Sequence, residues 1–374
     1  MSKLIPKRNQ DEVEISEETK RLRSTERTAI SLKNANANKL EVSWVGIYSM
    51  DKDEYKNDMS SLKYLKLPKI IDFNLNESSI QKKSCGQSFL NRLNQMIKFI
   101  EENYDKVKSE TKPIAADFVC TRGVLKKIME FKYFPDNFKM YTLKLKGTIY
   151  IALEYDDAQF QNFGHEFEKR LLTSKPDSEP GETEGKEFCV VVERIVDDFK
   201  ILFNVECDGI ESNTPVEDFK DLKDATLVEL KTRIDKQKFR DNKHFAWLIQ
   251  SHVAGIIDKI YEGRRDENAI VKNIIIHDLK ELEDKGKEQK GYDLNQCYVY
   301  LRNFLNKVRD EMINVENFKE VFVYSFIKRG FYEELDEMSS QIDSQVKSTN
   351  WIPPPTIEYR EFLPKYYIDF INNC

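Results

Sequence analysis

The chain has 374 residues, 33% of them charged and 40% from the AVILMFWYC set, with 23 Phe and 17 Tyr. That is enough apolar and aromatic material for a sizeable core and excludes global disorder, while only 13 Gly and 11 Pro exclude collagen-like and low-complexity chains. The net charge of −6 gives no global nucleic-acid signature, yet it allows a local basic channel, and bound cations would reverse the field at an acidic site.

Residues 1–38 read as a disordered polar tail. Its Lys20, Arg21, Arg23 and Arg27 are interleaved with acids and give a nuclear location a slight edge over a cytoplasmic one. Folding is expected to begin near Leu40, in LEVSWVGIYSM, and to continue as one domain over 39–374. Phe89, Leu93, Met96, Ile97 and Ile100 recur at helical spacing and predict a helix over 86–103. An extended segment over 116–131 and a long alternating strand over 142–155 come next, then a helix over 157–172 with Phe160, Phe163, Phe167 and Leu171 on one stripe. SKPDSEPGETEGKE (174–187) has the composition of an acidic surface loop. Strands are expected over 188–196, 199–210 and 225–234, and helices over 239–256 and 291–313. Mixed rather than strictly alternating elements give a mixed α/β fold class.

No apolar run approaches the roughly 20 residues of a membrane helix, and MSKLIPKRNQDEVE has no signal-peptide h-region, so a soluble intracellular protein without a membrane partner is expected. Six dispersed cysteines without a CxxC pair predict reduced thiols. The four histidines form no HExxH or close-spaced ligand set, and no GxxxxGK[ST] or GxGxxG occurs.

The chemistry concentrates in two short strands. In FNVECDGI, alternation places Asn204, Glu206 and Asp208 on one face; in TLVELKT it places Leu227, Glu229 and Lys231 together. If the strands pair, three carboxylates and one ammonium converge. Such a cluster is costly without a cation, and oxygen ligands suit Mg2+ or Mn2+. A lysine beside a bound phosphate can orient water and stabilise developing negative charge, the logic of metal-dependent phosphodiester hydrolysis. The same residues also fit a solvated strand face. Glu168 lies on the preceding helix, with Gly164 one turn earlier, where a small residue admits a backbone or ligand. Lys243, Trp247 and Gln250 form a second stripe on the helix after TLVELKT, suited to a nucleotide or to partial burial. Arg122, in its extended segment, suits a phosphate clamp or a structural ion pair.

Beyond this, the chain resembles the DXO-type decapping exoribonuclease family of eukaryotic RNA 5′-end quality control. Matching segments occur in family order: VGIYSMD (45–51), FVCTRGVLKKIM (118–129), GHEFE (164–168), ECD (206–208), ELKT (229–232), WLIQS (247–251) and FLPKYY (362–367). The resemblance implies a two-sheet domain with a PD-(D/E)XK-like nuclease core and flanking helices. It implies Glu168, Glu206, Asp208 and Glu229 with the Leu230 carbonyl as metal ligands, Glu206 directly or through water, for two Mg2+ or Mn2+ ions. Glu206, Asp208, Glu229, Lys231 and Gln250 would be catalytic, and Arg122, Glu168, Lys231 and Gln250 would meet substrate. The implied activity removes NAD caps, incomplete guanosine caps or 5′ triphosphate from single-stranded RNA ends, with 5′–3′ exoribonuclease activity in some members. Gly209, Val205 and His165 depart from the family pattern at the pocket wall, and IKRGFYEEL (327–335) departs at the C-terminal turn.

The alternative from another class is a non-catalytic or weakly catalytic stabilising partner of a larger 5′–3′ exoribonuclease; a DNA-directed PD-(D/E)XK nuclease is a third reading. A monomer is expected.

Overall fold

The computed structural model describes residues 42–76 (except 53), 90–154, 163–235 (except 182 and 184), 242–315, 321–327, 346–351 and 362–374. The tail expected over 1–38 lies outside the described residues, as do 86–89, 157–162 and 239–241 of three expected helices and most of 327–335. In chain order the first elements are β1 (Val42–Asp51), β2 (Glu54–Lys56), β3 (Tyr64–Leu65), β4 (Phe73–Asn74), α1 (Leu90–Glu102), α2 (Tyr104–Val107), β5 (Phe118–Thr121) and α3 (Arg122–Phe131). Next come β6 (Phe138–Leu145), β7 (Thr148–Leu153), α4 (Phe163–Leu171), β8 (Leu172–Thr173), β9 (Lys186–Val196), β10 (Phe199–Cys207), β11 (Gly209–Glu211), α5 (Phe219–Asp224) and β12 (Thr226–Ile234). The last are α6 (Asn242–Ala254), β13 (Lys259–Arg265), β14 (Ile270–Asp278), α7 (Leu279–Lys290), α8 (Leu294–Met312), β15 (Val321–Phe326), β16 (Val346–Trp351) and α9 (Lys365–Asn373).

Two expected segments divide in the structure. Only 118–121 of the 116–131 stretch is extended. Beyond it Val124, Leu125, Ile128 and Met129 fall at helical spacing, and their burial winds the chain into α3 with Arg122 as its first residue. The single strand expected over 142–155 is a hairpin. Lys146 and Gly147 both take positive φ (49° and 87°), the twist of a two-residue hairpin turn, and fold β6 onto β7. The 291–313 helix matches α8, whose Leu294, Cys297, Leu301, Phe304, Leu305, Val308 and Met312 are all buried.

The strands form two sheets, ordered β16-β15-β6-β7-β5-β10-β9-β1-β2 and β4-β14-β13-β12-β11-β3-β8. The first carries the larger core, built with Leu93, Met96, Ile97 and Ile100 of α1 and Tyr367, Ile368 and Ile371 of α9. The second packs Val228, Leu230 and Tyr261 against Phe167 and Leu171 of α4.

The strand expected over 199–210 is broken at Asp208, and this break positions the site. β10 lies in the first sheet, antiparallel to β9 and parallel to β5 with Asn204 opposite Thr121. After Asp208 the chain enters the second sheet as β11, antiparallel to β12 with Gly209 opposite Val228. On its other side β11 runs beside β3, where the Ile210 N–H donates to the Lys63 carbonyl at 3.0 Å. A Cβ on Gly209 would lie 2.6 Å from Leu172 Cδ2 and 3.3 Å from the Lys63 carbonyl oxygen. Gly209, one of the departures noted in the sequence, stands at this close approach.

Candidate active site

Glu229, in the middle of β12, is 2% exposed and accepts from three side chains. Arg122 Nη1 reaches Oε2 at 2.9 Å, and Lys231 Nζ reaches Oε1 at 2.6 Å. The Gln250 side-chain amide, from α6, donates to Oε1 as well. The parallel register of β5 and β10 brings Arg122, one residue beyond β5, to the end of β10 where Glu206 and Asp208 lie. Burial alone would raise the Glu229 carboxyl, but Arg122 and Lys231 more than offset it and hold it below the ordinary value of 4.5.

Asp208 is buried at the sheet junction, and its Oδ2 accepts the Leu230 N–H at 2.6 Å. Burial, then the charges of Glu229 and Glu168, push its carboxyl well above 3.8 against the pull of Lys231. Glu206 is more open and takes Arg92 Nη1 at 3.1 Å, from α1. Burial raises its pKa, yet Arg92, Arg122 and Lys63 prevail and hold it at about 2. Glu168, on α4, lies within the field of Asp208 and has His165 Nδ1 at 3.6 Å.

Direct hydrogen bonds thus join Arg122, Lys231 and Gln250 to Glu229, and the Leu230 N–H to Asp208, while Glu206 and Glu168 act on these groups electrostatically. Leu230 enters through its N–H. Of the helical stripe, Gln250 reaches the cluster, while Lys243 is exposed and Trp247 is buried edge-on against His244. A Cβ at Gly164 would meet nothing within 4 Å, so no described residue makes the close approach expected there. Asn204 donates to the Tyr48 hydroxyl at 2.7 Å, a bond within the core. Sequence reasoning missed Arg92 and Lys63. Lys63 is buried beside Gly209 through its backbone, and its charge acts on Glu206. Its enclosure between Leu62 and Tyr64 in SLKYLK was the available signal.

A two-sheet mixed α/β fold with E-x-D at the end of one strand and E-x-K on the next defines the PD-(D/E)XK class of nuclease-like proteins. The comparisons are more specific. The description "RAI1 like PD-(D/E)XK nuclease" matches residues 41–356, and the chain belongs to that family. It is 27% identical over 254 residues to the decapping and exoribonuclease protein Rai1 of Drosophila melanogaster, covering 61% of this chain and 66% of the relative, just under two thirds of that protein. The fold is similar to Candida albicans Rai1 solved in complex with pU5-Mn2+ (TM-score 0.69, 17% identity, 90% of this chain and 97% of that one). It is also similar to Scheffersomyces stipitis Rai1 in complex with (3′-NADP)+ and calcium ion (TM-score 0.69, 14% identity, 90% and 96%).

Proposed function

We propose that this chain is a divalent-metal-dependent hydrolase of RNA 5′ ends, removing NAD caps, incomplete guanosine caps or 5′ triphosphate. The carrying observation is the convergence of Glu168, Glu206, Asp208 and Glu229 with Arg122, Lys231 and Gln250 where the chain crosses between sheets. Support also comes from relatives named for decapping and exoribonuclease activity and solved with pU5-Mn2+ or with a nicotinamide dinucleotide and calcium.

The donor set fits Mg2+ or Mn2+. Four carboxylates gather, and burial first, then the charges of Glu229 and Glu168, keep the Asp208 carboxyl well above its ordinary value, a cost that a bound cation would relieve. Glu168, Glu206, Asp208 and Glu229, with the Leu230 carbonyl, would hold the ions, which supply charge neutralisation and polarise the scissile phosphate when bound. Lys231, released from Glu229, donates to a non-bridging phosphate oxygen and stabilises the charge that builds there. Gln250, which shares Glu229 Oε1 with Lys231, orients the attacking water. Arg122 clamps the phosphate with its planar fork. Glu206, at about 2, stays ionised at working pH and serves as an acceptor that orients water. Attack on the phosphate that joins the cap to the first nucleotide releases the cap whole, so an NAD cap leaves as intact NAD.

The test uses one RNA with four 5′ ends: triphosphate, unmethylated guanosine cap, NAD cap and monophosphate. Each is incubated with Mg2+ or Mn2+ and products are weighed by mass spectrometry. Metal-dependent release of an intact cap or of pyrophosphate, lost in Asp208→Ala/Glu229→Ala, is expected. Survival of all four ends with folded, metal-loaded protein would overturn the catalytic reading. In the same reading the chain is a monomer, and one-to-one co-purification with a 5′–3′ exoribonuclease would add the partner role.

A further inference from the structure

Glu262, on β13, is fully buried, and both histidines beside it are buried too. His277 Nε2, from the neighbouring strand β14, lies 2.6 Å from Glu262 Oε2, and His244 Nε2, from the first turn of α6, lies 3.1 Å from the same oxygen. The other carboxylate oxygen is held by Arg233 Nε at 2.7 Å, with Arg264 Nε at 3.5 Å. Arg264 in turn meets Asp235. The three ligand atoms therefore lie within 4.8 Å of one another and come from three different elements. Two imidazoles and a carboxylate form the His2Glu donor set that zinc takes, with the fourth position left to water.

We propose that His244, Glu262 and His277 bind a zinc ion, at a site separate from the carboxylate cluster and built of different donors. Tetrahedral zinc with bonds of about 2.1 Å holds its ligand atoms about 3.4 Å apart, so the imidazole nitrogens, at most 4.8 Å apart, would close by up to about 1.4 Å, while His277 Nε2 would draw back from Oε2, now 2.6 Å away, by about 0.8 Å. Arg233 fixes the free carboxylate oxygen and sets the orientation of Glu262, the part outer partners play around a metal. Arg264 is matched by Asp235, and the Glu262 carboxylate would be shared between Arg233 and the ion. Nitrogen donors select zinc over Mg2+, whereas the all-oxygen cluster at Asp208 selects the harder ion. The ion would pin the start of α6 to β13 and β14. Gln250 lies six residues further along α6, so the zinc would fix the helix that carries it.

The test loads chelator-stripped protein with zinc in the presence of excess Mg2+, removes free metal by gel filtration, and counts zinc per chain. One zinc is expected in the wild type and in Asp208→Ala/Glu229→Ala, and none in His277→Gln, whose amide still donates to Glu262. X-ray absorption on the wild type provides a readout that needs no variant; two imidazoles in the zinc shell are expected. The proposal is overturned by no retained zinc, by zinc retained in His277→Gln, by its loss in the Asp208/Glu229 variant, or by an oxygen-only shell. Because the count uses no RNA, its outcome is independent of any decapping assay.

Discussion

A double-mutant cycle between Arg122 and Glu229 measures how the site balances its charges without an ion. The two side chains are 11% and 2% exposed and meet at 2.9 Å. Removing one partner of a buried pair costs about 3–5 kcal/mol when nothing replaces it. Here Lys231 and Gln250 continue to hold Glu229, so Arg122→Ala is expected to cost about 2–3 kcal/mol. Glu229→Gln keeps the shape but leaves Arg122 and Lys231 facing only Glu206 and Asp208, at a cost of about 1–2 kcal/mol. In the double variant neither charge is stranded, so its cost falls short of the sum by about 1–2 kcal/mol. The assay is urea denaturation of chelator-treated protein, repeated with Mg2+. An ion bound by Glu229 takes over the neutralising part played by Arg122, so the coupling is expected to fall by at least half. A coupling under about 0.3 kcal/mol in chelator would refute the charge balance; a coupling unchanged by Mg2+ would refute Glu229 as a ligand.

Asp208→Asn should stabilise the chelator-treated protein at neutral pH. The folded carboxyl holds its proton to higher pH than the unfolded one, so rising pH above 3.8 costs the wild type stability that Asn, still accepting from Leu230, does not lose; a variant less stable than wild type at pH 8 would contradict this. His252 is held down at about 4 by burial and by Arg194, so stability is full above 6.5 and declines by up to about 3 kcal/mol as pH falls toward 4. His252→Gln, which can still bond the Tyr298 hydroxyl, should flatten that decline in melting curves taken between pH 7 and 4.5. Gly209→Ala should cost about 1–3 kcal/mol by crowding Leu172 and the Lys63 carbonyl, and should weaken Mn2+ binding in calorimetry. An unchanged urea midpoint would disprove the close approach.

The convergence of carboxylates was legible because strand alternation needs only a period of two. Glu229 and Lys231 do share a face, and Arg233 continues it to Glu262. The break at Asp208 carried a signal that a single strand reading passed over: Phe203, Val205 and Cys207 alternate, Gly209 interrupts the series and Ile210 falls out of phase, and there the hydrogen-bond partners change from β9 to β12. Arg122 was singled out on an extended segment but begins a helix. Phe118–Thr121 is β-rich and Val124–Met129 is helical, and a single extended reading averaged the two. The hairpin at 146–147 did carry a signal, a Lys-Gly pair between two apolar runs. β13 and β14 were missed because their polar residues (Glu262, Arg264, His277) obscure the alternation. Those residues proved to be buried or partly buried partners of one another, a relation that only the fold supplies.

The crossing between sheets explains why the site is crowded. β3 packs beside β11 at Gly209, where a Cβ would crowd Leu172 and the Lys63 carbonyl, and the pairing of Gly209 with Val228 sets β11 beside β12. With Gly209 opposite Val228, Asp208 comes within reach of the Leu230 N–H, and its carboxylate then faces Glu229 on the same strand. Ends of parallel strands at such a junction are where α/β sheets gather ligands. Arg122 follows β5 to this same edge and can neutralise Glu229, but it approaches from one side and leaves Asp208 with a raised carboxyl. The remaining negative charge lies between Asp208, Glu229 and Glu168, where a backbone amide and Lys231 only partly offset it. A species that answers this charge without a side chain of its own is a divalent cation, and the three carboxylates would close on it, because their oxygens do not lie within 4.8 Å of one another as a set.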